Sequence, residues 1–424
     1  MGVPVDPANH QATSSRALGV DRLWTETGGA CLRPSQQDEV PMQHATQVDL
    51  LKRTLALVER GVSECVETPS SLPVDLYLDE QRYRRERDEV LRREPLLVAR
   101  SGEIPAGHFI TRDLLAPLLL TRDEQGRLRA FLNVCKHRGT QLVGDVAGRN
   151  RVFVCPYHAW SYNPDGQLRG IPHGYGFEGI DRTCLNLTEV PVAERFGAIW
   201  ARHSPGPALD MDAFFGEQIL ADFDSFALEG HVLFDPQDIR RPVNWKLTID
   251  TFLENYHVSR AHQATIDHLF WPNLGLFERF GRHIRNYYVK RNLREILDQP
   301  ERDWDLRRHG NLLYFLWPNT LVLVEPDHID FSTVFPDGPL ATRVLGHTLL
   351  PETPATEKAQ RYFEKNNAIL YSALEEDFAM AARVQAGIQA GASDRLWHGR
   401  FEQALRWFHQ GLDEALAEER VEVL

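Results

Sequence analysis

Two pairs of residues in the first half of the chain have the types and spacing of metal ligands: Cys135-x-His137 and, seventeen residues further on, Cys155-x-x-His158. Thiolates bind iron strongly in sulfide clusters, while neutral imidazoles on a second iron reduce its negative charge and raise the cluster's potential. Short loops at hairpin ends can each present one cysteine and one histidine, so two such loops clasp a four-ligand site. A structural zinc site uses the same ligand types, but zinc fingers usually group cysteines in one pair and histidines in the other. Here each pair is mixed.

A second group lies in "DTFLENYHVSRAH", residues 250–262, which holds His257, His262, Glu254 and Asp250. Two histidines plus one carboxylate make the open three-ligand site of non-haem Fe(II) enzymes. Five positions on an ideal helix separate His257 from His262 by about 140°, so both reach one metal only through a widened turn or an ending helix. The carboxylate must come from elsewhere. "SALEEDFAMAARVQAGI" offers Glu375, Glu376 and Asp377 side by side on a long helical pattern, and residue types alone do not choose among them.

Residues 1 to about 45 are polar and aperiodic and read as an arm. Leu50, Leu51, Leu55 and Val58 then space an amphipathic helix, and the charge-rich "DEQRYRRERDEVLRREP" reads as a helix with a solvated face. From about 95 to 205, short strands alternate with turns such as Asn163-Pro164-Asp165-Gly166, the pattern of a small β domain. Beyond 206, "LEGHVLF", "LLYFLWPNTLVLVEP", "HIDFSTVFP" and "ATRVLGHTLLP" predict an antiparallel sheet, with long helices over 354–390 and 394–420. The fold class is α+β. The expected domains are an arm with helices over 1–75, a cluster-bearing β domain with its N-terminal helix over 76–205, and a catalytic domain over 206–424. The aromatic stretches "LFWPNLGLFERF" and "NLLYFLWPN" read as core.

The formal net charge of −13, from 47 basic and 60 acidic residues, argues against a nucleic-acid or anionic-membrane partner. Five cysteines in 424 residues are no secreted disulfide framework. Without an N-terminal signal pattern or an 18-residue apolar run, the expectation is a cytoplasmic protein. Cys31, Cys65 and Cys184 read as small buried hydrophobes.

Taken in order, CxH-x17-CxxH, NWK…YHxxxxH and a late-helix acid resemble the catalytic α subunit of Rieske non-haem iron oxygenases, over roughly residues 75–415. That resemblance implies a small Rieske domain followed by a helix-grip catalytic domain, an antiparallel sheet wrapped on a long helix. It implies a [2Fe-2S] cluster with Cys135 and Cys155 on one iron and His137 and His158 on the other. It also implies a mononuclear Fe(II) held by His257, His262 and Asp377, the last matching the family's EDxxxxxxxQxG pattern through Glu376, Asp377, Gln385 and Gly387. A reductase, with or without a ferredoxin, would supply electrons from NAD(P)H, and O₂ would hydroxylate an aromatic or other small organic substrate. Demethylation of a small polar or quaternary ammonium compound is the alternative, and an electron carrier with a vestigial second site is the reading of another class. The family commonly forms head-to-tail homotrimers, some with a small β subunit, in which a carboxylate three residues before the first iron histidine bridges two subunits. Glu254 holds that position here, as in the carnitine monooxygenase type. Asp250 is expected to support an imidazole N–H, and "DT" at 250–251 departs from the "EN" of the naphthalene type.

Overall fold

The structure is a computed structural model and describes Met42 and residues 44–417. The expected arm lies almost wholly outside the described residues, and so does Cys31. Among the described residues no helix is long and apolar enough to cross a membrane.

Seven strands form one antiparallel sheet: β1 (Val232–Arg241), β2 (Phe270–Phe280), β3 (His283–Lys290), β4 (Gly310–Leu316), β5 (Thr320–Val324), β6 (Ile329–Pro336) and β7 (Thr342–Leu350), in the spatial order β1-β7-β6-β5-β4-β3-β2. Helices cover both faces. On one face Leu276, Tyr287, Tyr314, Val322 and Phe331 pack with α1 (His44–Arg60) and α2 (Met211–Asp224). On the other, Ile284, Leu313, Phe315, Leu321, Val334 and Val344 pack with α3 (Trp245–Asp250), α5 (Glu357–Gln389) and α6 (Gln403–Ala417), while the four-residue α4 (Val258–Ala261) follows α3. With both faces covered, β4 is buried at every position, so its sequence runs apolar where a half-solvated strand would alternate.

The 33-residue α5 starts at Thr356, whose hydroxyl accepts the Ala359 N–H. Its buried positions Leu374, Asp377, Phe378, Ala381, Gln385 and Ile388 recur at three- and four-residue steps, which places one acid on the apolar stripe. The helix expected over 394–420 is shorter. Arg395–His398 forms a strand against Ser70–Pro73, and α6 begins only at Gln403.

The smaller sheets lie between residues 96 and 201. Glu189–Val190, Leu128–Leu132, Pro117–Arg122, Phe109–Asp113 and Ala147–Gly148 make a five-stranded sheet; a three-stranded sheet of Leu96–Arg100, Val192–Arg195 and Ala198–Ala201 brackets it in sequence, and a second, of Phe153–Val154, Ser161–Tyr162 and Leu168–Gly170, is inserted within it. The charged helix before them differs from its expected solvated form. Glu86, Val90 and Leu91 are buried, and Glu86 receives Lys246 Nζ at 2.6 Å and Arg82 Nε at 2.7 Å. An acid surrounded in sequence by arginines looks solvated until its buried lysine, 160 residues away, is known. This segment therefore packs on α3 and α6, elements of the large sheet's layer, although the sequence groups it with the small β domain.

Candidate metal centres

The two Cys/His loops are built alike. In one, the Cys135 N–H donates to Thr140 O at 2.8 Å and the Gly139 N–H to Cys135 O at 3.0 Å; in the other, the Cys155 N–H donates to Trp160 O and the Ala159 N–H to Cys155 O at the same distances. The fifth residue of each loop is left-handed, Gly139 at φ 75° and Ala159 at φ 56°. Glycine adopts that conformation at no steric cost, whereas alanine holds it against its own Cβ.

Both thiols are buried and in no disulfide. The His137 and His158 rings stand 4.6 Å apart, and His137 stacks on Trp160 at 4.8 Å. Each ring buries an Nδ1 with no hydrogen-bond partner. Two buried thiols and two orphaned imidazole nitrogens fit the donor set of a mixed Cys/His cluster. Tyr162 Oη lies 3.3 Å from Cys135 Sγ and accepts the Lys136 N–H at 3.1 Å. Arg138, exposed, lies over the Tyr157 ring. Cys65 and Cys184 differ from expectation: both are exposed, Cys65 in an irregular segment and Cys184 in the short 3₁₀ turn Arg182–Leu185, which buries none of its residues.

The second group is assembled from distant parts. Asn244 accepts the Lys246 N–H to start α3, and its own N–H donates to Gln385 Oε1 at 2.7 Å, while Gln385 Nε2 donates to Pro242 O. This clamp docks the C-terminal half of α5 on the start of α3. The chain then leaves α3, and α4 stops at His262, whose backbone (φ −106°, ψ 28°) has left the helix. An ending helix is how two histidines five apart come to face one point.

His257 Nε2, His262 Nε2 and Asp377 Oδ1 lie 3.2, 3.3 and 3.1 Å from one another. They form the group of His, Cys, Asp and Glu able to hold a metal ion among the described residues. Metal bonds of about 2.1 Å at right angles set their donor atoms about 3 Å apart. The protons have been placed elsewhere: Glu254 accepts from His257 Nδ1, and Glu376 Oε2 accepts from His262 Nδ1 at 2.7 Å. With Nδ1–H donated on each ring, both Nε2 lone pairs and a carboxylate oxygen converge, and only a cation relieves their repulsion. Burial lowers the His257 pKa, but the Asp377 and Glu254 carboxylates outweigh it and raise it to about 10; burial raises that of Asp377, and the two imidazoles bring it below the usual carboxylate range. The site thus has high affinity for positive charge.

The neighbouring acids divide by role. Glu375 pairs with Arg241 at the surface, while Glu376, steadied by the Thr265 hydroxyl at 2.6 Å, orients His262. A supporting role for Glu376 was not readable from residue types. Glu254 also accepts the backbone N–H groups of Tyr256 and His257, so both its oxygens are engaged within its own chain. Asp250 does support an imidazole, but that of His409 on α6, at 3.0 Å, and it accepts the Tyr77 hydroxyl at 2.7 Å.

Residues 94–178 match the Rieske [2Fe-2S] domain, and residues 224–418 match the catalytic domain of the ring hydroxylating alpha subunit. The chain belongs to the Rieske non-haem iron oxygenases. This Rieske oxygenase is an oxidoreductase of a family that carries a [2Fe-2S] cluster and a mononuclear iron. It is 28% identical to the carnitine monooxygenase oxygenase subunit of Escherichia coli (strain K12), over 60% of this chain and 68% of that one. The glycine betaine monooxygenase oxygenase subunit of Pseudomonas aeruginosa (strain UCBPP-PA14) is 33% identical over 48% of each chain. The large oxygenase component of the naphthalene 1,2-dioxygenase system of Pseudomonas putida is 31% identical over 44% of this chain and 43% of its own. The Rieske oxygenase thus spans about half the length of the last two. Its fold resembles that of a quaternary ammonium Rieske monooxygenase solved with L-carnitine, with a TM-score of 0.69 at 20% identity, covering 82% and 96% of the two chains.

Proposed function

We propose that this Rieske oxygenase is the oxygenase component of a monooxygenase acting on a small quaternary ammonium compound. The observation that carries the reading is the convergence of His257 Nε2, His262 Nε2 and Asp377 Oδ1 with both Nδ1 atoms tied to carboxylates. Cys135, Cys155, His137 and His158 would hold the cluster, and His257, His262 and Asp377 the mononuclear iron. When bound, the cluster passes single electrons and the mononuclear iron activates O₂ for attack on a C–H bond. Glu254 and Glu376 hold the Nδ1 protons, so that each ring turns its Nε2 toward the metal position, and keep the rings in register. Gln385 holds Asp377 on the α3 side of the site.

A quaternary ammonium substrate is supported by the carnitine and glycine betaine relatives and by Glu254 at the bridging position. One oxygen atom enters a C–H bond beside the nitrogen and the other leaves as water. Two electrons from an NAD(P)H-dependent reductase, directly or through a ferredoxin, and two protons complete the balance, and the hydroxylated carbon separates as an aldehyde from the amine.

The oligomer proposed is a head-to-tail homotrimer in which Glu254 links one subunit's cluster histidine to the next subunit's iron histidine. Exposed aromatic residues support it at both ends, Tyr157 and Tyr175 in the cluster domain and Tyr256 and Trp397 in the catalytic domain. A Rieske domain over 76–205, a catalytic domain over 206–424 and a cytoplasmic location complete the reading.

O₂ uptake with a surrogate reductase, measured with glycine betaine, carnitine, choline and naphthalene, tests it. Accelerated uptake with release of amine and aldehyde is the expected result. A dihydrodiol from naphthalene, with no response to the ammonium compounds, would establish the aromatic reading instead.

A further inference from the structure

The cluster domain carries an exposed face that neither candidate metal centre uses. Two sheet edges meet there: Ala147–Gly148 is the outer strand of the five-stranded sheet, and Phe153–Val154 is an outer strand of the second three-stranded sheet. Phe109, paired with Gly148, meets the Phe153 ring edge-on at 5.2 Å, so the two edges lie side by side and the loop 149–152 joins them. Phe153 turns into the core, and Val154 turns outward by the two-residue period of a strand. Val146 is 71% exposed and Val154 54%, and Arg149 and Arg151 are exposed between them. Val154 immediately precedes Cys155, so this face borders the cluster loops.

Charge sets the face apart. Over residues 94–178 ten basic residues meet eight acidic ones, whereas the rest of the chain holds 37 basic and 52 acidic. Within 136–154 the basic residues are Lys136, Arg138, Arg149 and Arg151, and the only acid is Asp145. Glu124 reaches Arg149 at 2.7 Å from outside that stretch, but both side chains are mostly exposed and the pair is weak. An acidic protein is therefore repelled over most of the molecule and drawn to this end of it.

The other sides of the two loops are covered. Trp160 and Phe177 back the His137 ring. Tyr157 lies on the His158 ring at 3.8 Å, and the proposed trimer gives that side to the neighbouring subunit.

We propose that the face formed by Val146, Arg149, Arg151 and Val154 docks the electron-donating protein, and that the donor meets it with an acidic surface. Exposed valines flanked by arginines match the make-up of a small, transient interface. In each encounter the donor loses one electron and the cluster gains it, with no bond made or broken. The inference rests on the cluster reading and is independent of the substrate.

An acidic plant-type [2Fe-2S] ferredoxin, whose potential lies below that of a Rieske cluster, serves as the probe. Calorimetric titration of the holoenzyme with the oxidised probe measures docking, and stopped-flow mixing with the reduced probe, without substrate, measures cluster reduction. Wild-type affinity is expected to fall about tenfold or more from low to high salt. The double variant Arg149→Glu/Arg151→Glu is expected to lose about tenfold or more in both affinity and second-order rate at low salt, with the visible spectrum and the size in solution unchanged. Arg302→Glu/Arg361→Glu, two exposed arginines of the catalytic domain, changes the net charge equally and is expected to cost less than about twofold. Equal losses in the two variants, undiminished affinity in the first, or wild-type binding that is absent or indifferent to salt overturns the proposal; the wild-type titration decides even where a variant does not fold. An altered size in solution for the first variant assigns the face to a second copy of the chain and overturns it too. A wild type with no reducible cluster, seen by metal analysis, removes the cluster reading and the proposal together.

Discussion

The two candidate metal-ligand groups solve the same problem, fixing donor atoms in space, by opposite means. The proposed cluster ligands sit in two short loops with one shared hydrogen-bond pattern, so each loop presents its cysteine and histidine almost without help from the rest of the chain. The proposed iron triad has no such local frame. His257 and His262 flank a four-residue helix, Asp377 comes from a helix on the far side of the sheet in sequence, and Gln385 and Asn244 join the two. Local loops tolerate disturbance elsewhere, whereas an assembled site depends on every packing contact that brings its parts together.

The sharpest break between the two regions is reciprocal. Asp377→Ala should lower iron from about three to about two per chain and abolish turnover while leaving the cluster's visible spectrum intact, and Cys155→Ser should remove the cluster and leave the triad iron in place. Metal analysis with absorption spectroscopy checks both; loss of both centres in either variant would mean that the two regions are not independent.

Next in size, Glu376→Gln should weaken mononuclear iron binding about 10- to 100-fold, because the His262 ring loses its carboxylate partner but keeps its position. Dialysis against a graded chelator measures this, and unchanged retention would show that Thr265 and packing hold the ring alone.

Acid stability should bear on both regions. Burial pushes His203, after the last small-sheet strands, down to about 3, and His283 on β3 down to about 4. Each folded pKa lies below the unfolded value near 6.5, so below that value the unfolded chain binds protons that the folded chain excludes. Stability is full above about 6.5 and falls as pH drops toward 4, by up to about 1.4 kcal/mol per pH unit for each histidine. Calorimetric Tm between pH 7 and 4 checks the slope, and His203→Asn should flatten it.

The smallest effect compares the loops themselves. Gly139→Ala should cost about 1 kcal/mol and Ala159→Gly return a few tenths to 1, since both positions are left-handed. No atom lies within 4 Å of a Cβ built at Gly139, so the cost is conformational only. Urea denaturation of the two variants measures the pair.

Much of this molecule is written in short stretches. Cys135, His137, Cys155 and His158 announce a cluster because their loops are local, and the stripe on α5 is a helix because its period is local. The paired histidines were visible as a pair but not as ligands, since an ideal helix would point them apart; the early end of α4 brings them together. Which of three adjacent acids faces His257 and His262, and that Glu376 serves His262 while Glu375 turns to Arg241, depends on the rotation of α5 against α3. The same holds for Glu86, which reads as solvated until Lys246 meets it in the core, and for Asp250, whose imidazole belongs to His409. Residue type and spacing determine what a segment can do within one or two turns of chain. Partners separated by a whole sheet are chosen by packing, because only docked elements decide which face of a helix is buried and which polar atoms must be satisfied there.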